Sequence, residues 1–115
     1  MKKMKNNYKF LILSLILVFF SVHSLQAQRK NRTIQKADKA FDIEMYFEAS
    51  ELYKKGYKRT KNKAIRAEIL FKQAECNRYQ SKFKKAANFY KKAVKAKYDN
   101  GNPIAIYWYA EMLMA

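Results

Sequence analysis

The sequence predicts an all-α chain: a solenoid of helical hairpins, about two and a half repeats long, behind an N-terminal export segment. Three observations carry this. The stretch Tyr46, Phe47, Glu48, Ala49, Ser50, Glu51, Leu52, Tyr53 is echoed by Phe83, Lys84, Lys85, Ala86, Ala87, Asn88, Phe89, Tyr90 at a constant offset of 37 residues. Self-similarity at roughly 20 to 50 residues marks stacked supersecondary units. Apolar residues recur at helical spacing almost throughout, and the 115 residues hold only two glycines, Gly56 and Gly101, and one proline, Pro103. So few breakers leave little room for strands and hairpin turns.

The first segment reads as a signal peptide over residues 1–27. Lys2, Lys3, Lys5 and Lys9 precede a largely apolar run from Phe10 to Val22, thirteen residues. That length fits the roughly 7 to 15 apolar residues of an export signal better than the about 20 of a membrane span. Small Ala27 precedes the expected cut, which leaves Gln28 as the mature N-terminus; the alternative is an uncleaved membrane anchor. No cysteine follows the apolar run to take a lipid, and the single cysteine, Cys76, falls within a helical pattern, where it acts as a small buried hydrophobe.

Residues 28–115 form the repeat domain. A first helix runs from a Thr33 N-cap to Met45, with Ile34, Ala37, Ala40 and Phe41 on one stripe. A second, Phe47 to Arg59, carries Ala49, Leu52, Tyr53 and Gly56. The third spans Lys63 to Tyr79 with Ala67, Leu70, Phe71, Ala74 and Cys76, and the fourth spans Phe83 to Ala96 with Ala86, Ala87, Phe89, Tyr90, Ala93 and Val94. A turn over residues 98–102 and Pro103 at a helix start introduce a fifth, apolar stretch, Ile104 to Met114. Short connections make neighbours antiparallel. The stretch from Ala105 to Met112 aligns with Ile69 to Cys76 and is followed by only Leu113, Met114 and Ala115, so the chain reads as ending inside a third repeat.

Small residues that let backbones approach and aromatics that fill the space between layers follow the pattern of the tetratricopeptide repeat, which this chain resembles. Ala37 and Ala74 match its first small position, Tyr46 and Phe83 its turn aromatic, Ala49 and Ala86 the first alanine of the second helix. Tyr53 and Tyr90 match the following aromatic, and Gly56 and Ala93 the last small position. The departures are Thr33 and Leu70 at the tryptophan position, Ala40 and Asn77 at the later tyrosine position, and no proline after either second helix. More narrowly, Gln28 to Arg32, Ala37 to Phe41, Tyr46 to Ala49 and Ile69 to Cys76 resemble the N-terminal repeat region of Bacteroidetes envelope proteins of the OmpA family, the PorE-type components of type IX secretion and gliding. In that family the repeats are an interaction module, and separate propeller and peptidoglycan-binding domains follow. The resemblance implies a periplasmic or outer-membrane-associated scaffold whose partner is a protein of an envelope or secretion complex. A peptidoglycan link would come only through a C-terminal domain that is missing here.

Mature-chain charge is +12, from 21 basic and 9 acidic residues. Export argues against nucleic acid as the partner. Solvation of the outer helix faces, on which Lys54, Lys55, Lys91 and Lys92 recur, accounts for this charge; the alternative is an anionic glycan, lipid or acidic protein surface. His23, the single histidine, lies inside the signal, and no Gly-rich loop is present, so the mature chain offers no hydrolytic triad, zinc site or cofactor motif. No catalytic residue is expected. Asp38, Glu75 and Glu111 share one position of successive first helices, the row that lines the groove in the family resembled. They read either as an acidic stripe for basic or amide-rich peptide or as ordinary solubilising charge. Phe41, Phe71, Tyr79 and Tyr107 read either as aromatic anchors in that groove or as core. The runner-up function is a membrane-anchored basic structural protein that keeps its apolar segment.

Overall fold

The computed structural model describes residues 7–18, 30–98 and 103–115. The described residues form six helices and no strand: α1 over residues 7–18, α2 Arg32–Asp42, α3 Tyr46–Arg59, α4 Lys63–Tyr79, α5 Phe83–Lys95 and α6 Pro103–Met114. From α2 onward each helix packs on its neighbours in the chain, giving a helical, repeat-like fold. Helix α1 is exposed along its whole length, and no described helix is long and apolar enough to cross a membrane. The cleavage position after Ala27, His23 and the turn residues 99–102 lie outside the described residues.

Helix α2 begins two residues earlier than its stripe predicts. Asn31, not Thr33, is the N-cap: its Oδ1 accepts from the Ile34 N–H at 3.0 Å, and its Nδ2 donates to the Gly56 carbonyl at 3.4 Å, a tertiary tie that Thr33 does not make. The Thr33 hydroxyl instead accepts from Arg59 at 2.9 Å. Asn62 caps α4 in the same manner, its Oδ1 accepting from the Ile65 N–H at 3.1 Å.

Helix α2 also ends at Asp42 rather than Met45, because Glu44 turns left-handed at φ 64°. The Met45 N–H then donates to the Ala40 carbonyl at 2.9 Å and the Glu44 N–H to Phe41 at 3.0 Å, the paired bonds that satisfy the last carbonyls of a helix closed by such a residue. Thirty-seven residues on, Ser81 at φ 58° does the same for α4: Lys82 N–H to Asn77 and Ser81 N–H to Arg78, both at 2.9 Å. Two identical turns, neither made with glycine, therefore set α2 against α3 and α4 against α5. Lys97, at φ 56°, closes α5.

Helix α4 is the shared wall of two cores. Its Ile65, Ile69 and Cys76 join Ile34, Ala37, Ala40, Ala49 and Tyr53 from α2 and α3. Its Ala74 joins Ala86 and Tyr90, with Phe71, Phe89, Trp108, Tyr109 and Met112 packed around them. Burial on both sides explains why Gln73, Glu75 and Asn77 are covered along with the apolar stripe. Cys76 is fully buried, and burial pushes its thiol pKa up to about 12, so it serves as core. In the first core, α2 and α3 approach so closely that a Cβ on Gly56 would lie 2.5 Å from Ile34 Cγ1.

Candidate interaction surface

The α2–α3 and α4–α5 pairs are each closed by one carboxylate–phenol bond. Tyr53, 1% exposed, donates its hydroxyl to Asp38 Oδ1 at 2.5 Å, and Tyr90 donates to Glu75 Oε1. Carboxylate and phenol are fifteen residues apart in both cases, and both members shift by the repeat length of 37. Burial first, and the adjacent carboxylate second, hold both phenol pKa values well above the usual tyrosine range, so both hydroxyls remain donors.

The positive charge that balances each carboxylate comes from a different place. Lys30, ahead of α2, reaches Asp38 Oδ2 at 3.1 Å and Glu68 Oε1 at 2.7 Å, joining the entry of α2 to α4. Arg78, one turn along from Glu75, donates through Nη2 to Oε2 at 2.7 Å, and its Nε donates to the Tyr90 hydroxyl at 3.0 Å. Burial opposes the charge on Arg78, but the Glu75 and Tyr90 hydrogen bonds outweigh it and hold the pKa above the usual arginine value. Two members of the acidic row, Asp38 and Glu75, thus already have internal partners. Glu111, half-buried on α6, makes no side-chain hydrogen bond or ion pair among the described residues.

The aromatic residues divide. Phe41 and Tyr79 come together, 6.4 Å apart edge to face, and Tyr46 stacks on Tyr79 at 4.5 Å. The Arg78 guanidinium lies 4.4 Å from the Tyr79 ring and 4.0 Å from the Trp108 ring, which carries the cluster from α2 across α4 to α6. Lys72 sits 4.1 Å above Phe41. Phe71 stands apart from this group, stacked on Tyr98 at 4.6 Å and edge-on to Tyr90. Tyr79 is 50% and Tyr107 55% exposed, the latter touching Trp108 at 5.1 Å.

A second surface lies between α3 and α5. A groove of about 670 Å³ is floored by Leu70, Gln73, Asn77 and Gln80, and its rims carry Lys54 and Lys58 from one side and Lys82, Lys85 and Lys92 from the other. The contributors on α3 and α5 fall at spacings of one, three and four residues, so one face of each helix lines it. Repeat positions alone mark Lys54 and Lys92; Lys58, Lys82, Lys85 and the amide floor escape a reading that treats lysines as solvated. The signal that could have found them is the pair Gln73 and Asn77, polar residues interrupting the apolar stripe of α4, the helix with the most buried residues.

No group of three or more possible metal ligands occurs among the described residues. Compared with family models, with curated proteins and with solved structures, the chain matches none.

Proposed function

We propose that this chain is a non-catalytic protein-interaction scaffold of the cell envelope, built from tetratricopeptide-like helical hairpins and exported by its N-terminal segment. The observation that carries the reading is the recurrence, at a 37-residue interval, of both the carboxylate–phenol bond and the left-handed turn residue: Asp38–Tyr53 with Glu44, then Glu75–Tyr90 with Ser81. Side chains devoted to holding one hairpin shape twice make a stacking unit, and stacked units present extended surfaces to partners. The partner surface of this reading runs over α2, α4 and α6, where Phe41, Tyr79 and Tyr107 supply aromatic area and Glu111 a free carboxylate; Asp38, Phe71 and Glu75 support it from within. Resemblance to the repeat region of OmpA-family, PorE-type proteins makes type IX secretion or gliding the setting proposed.

Photo-crosslinking from Tyr79 and Tyr107 in the intact envelope tests the scaffold. The expected result is a crosslink to one defined envelope protein, lost in the Phe41→Ala variant, from a chain whose N-terminus by mass spectrometry is Gln28. An intact N-terminus held in the membrane fraction, with crosslinks to lipid alone, would favour the membrane-anchored basic structural protein.

A further inference from the structure

We propose that the groove between α3 and α5 binds an extended acidic peptide segment of a partner protein, its carboxylates held by Lys54, Lys58, Lys85 and Lys92 and its backbone by the Gln73 carboxamide. The proposal rests on the scaffold reading only in taking a protein as the ligand; it uses the opposite side chains of the repeat and needs neither export nor a family.

Charge is the first argument. Five lysines and one carboxylate, Glu51, line the groove. None of the five lysines lies within 4.0 Å of a carboxylate, and the three ion pairs among the described residues all use Lys30 or Arg78. Asp38, Glu68 and Glu75 are committed to Lys30 and Arg78, which leaves Glu51 as the one carboxylate facing five lysines in the groove. Low-dielectric walls beneath an unpaired cationic rim concentrate its field on the groove.

The floor is the second argument, and it is independent of charge. Gln73 is 5% exposed and lines the groove, yet its carboxamide makes no hydrogen bond among the described residues. Asn77 beside it donates to the Gln73 backbone carbonyl at 2.7 Å, which uses one of its own donors and leaves its carbonyl oxygen for a ligand. A side-chain amide with a donor and an acceptor both open is suited to a peptide unit.

Shape selects among anions. Phe47, Tyr57, Leu70 and Phe89 interleave with the lysines, so the ligand must offer apolar side chains between its carboxylates. Lys82 lies 5.7 Å from the Phe47 ring and Lys92 5.2 Å from Phe89, which holds ammonium groups against the aromatic walls. The lining residues of α3 run from Phe47 to Lys58, about 16 Å at a rise of ~1.5 Å per residue, which matches about five residues of extended chain at ~3.3 Å each. A bilayer surface spans the rim without reaching the buried floor, and a uniformly charged polymer leaves the apolar walls unmatched.

Fluorescence anisotropy with the full chain tests this, using a labelled peptide that alternates Glu and Asp with Leu, its Gln and Asn counterpart, phosphatidylglycerol vesicles and single-stranded DNA. The acidic peptide is expected to bind and to weaken as salt rises, because exposed charge pairs are screened. The triple variant Lys54→Glu, Lys85→Glu, Lys92→Glu should weaken it by about tenfold or more. Lys36→Glu, Lys55→Glu, Lys61→Glu, with the same change in net charge but outside the groove, should stay within about twofold. Gln73→Leu should weaken binding by about threefold at unchanged helix content by circular dichroism. Equal weakening by both triple variants, equal binding of the amide peptide, or dependence of vesicle or DNA binding on the same groove lysines with no peptide binding would each overturn the proposal. Crosslinking at Tyr79 and Tyr107 reads a different surface, so either result leaves the other standing.

Discussion

In the α2–α3 pair the buried phenol meets Asp38, and the balancing cation is Lys30, a residue outside any helix that also answers Glu68 on α4. In the α4–α5 pair the phenol meets Glu75, and the balancing cation is Arg78, on the same helix and in contact with the Tyr90 hydroxyl as well. One architecture has two electrical solutions. The longer Glu75 side chain turns the second unit into a closed triad of carboxylate, guanidinium and phenol that is largely shielded from water. The first unit is more open, with Lys30 29% and Asp38 30% exposed, and is tied to a residue that precedes α2. Closure makes the second unit the more costly to break.

Removing the carboxylate measures that difference directly. Glu75→Ala strands a shielded guanidinium and a buried phenol together and should cost about 4 kcal/mol, whereas Asp38→Ala strands the Tyr53 hydroxyl alone, Lys30 keeping Glu68, and should cost about 2 kcal/mol. Urea unfolding followed by circular dichroism reads both, and equal losses would remove the distinction.

Backbone approach differs between the pairs as well. Gly56→Ala forces Ile34 aside and should destabilise by about 2 kcal/mol, while Ala93→Gly, at the equivalent and fully buried position of α5, should cost at least about 1 kcal/mol through helix propensity and the loss of a buried methyl. Thermal melting checks the order of the two.

Alkaline titration sharpens what the pairs share. Both phenol pKa values are raised in the folded state, so the stability they contribute is fully present below about pH 10, where the unfolded tyrosines are still protonated, and is lost as pH climbs above it. The decline should reach at most about 1.4 kcal/mol per pH unit for each tyrosine. Tyr53→Phe and Tyr90→Phe should each flatten their own share of a plot of stability against pH. The smallest effect belongs to the turns: Glu44→Gly and Ser81→Gly should each gain about 0.5 kcal/mol by relieving a left-handed side chain. A gain at one turn only would show that the two are not equivalent.

Helix content was legible because period and breakers agreed. The bounds of α4, Lys63 to Tyr79, follow from the apolar spacing and coincide with the structure. The start of α2 was not legible, since Asn31 and Thr33 both have capping oxygens and a contact twenty-five residues away, with Gly56, favours the first. Its end was hidden for a related reason: a left-handed glutamate carries no mark that a glycine would have carried. At the candidate surfaces, alignment of the repeated segments revealed the acidic row, Asp38 and Glu75 at 37 residues and Glu111 36 further on, with the aromatics read beside it. It could not show that Tyr53 and Tyr90 occupy two of those carboxylates, because an internal phenol and an external lysine are equally good partners for a carboxylate on a helix face. The basic groove was obscured by composition, since lysines cover this chain and only packing shows which of them face one another.

Because α4 contributes to both cores, neither hairpin can open without exposing apolar surface of the other. Cooperativity is thereby built into a fold whose contacts lie mostly between sequence neighbours, a topology that favours rapid folding. The amides around Ala74 to Asn77 should be the last to exchange with deuterium, at the free energy of global unfolding. The border between the two cores therefore falls within one helix, α4, rather than in a connection between helices.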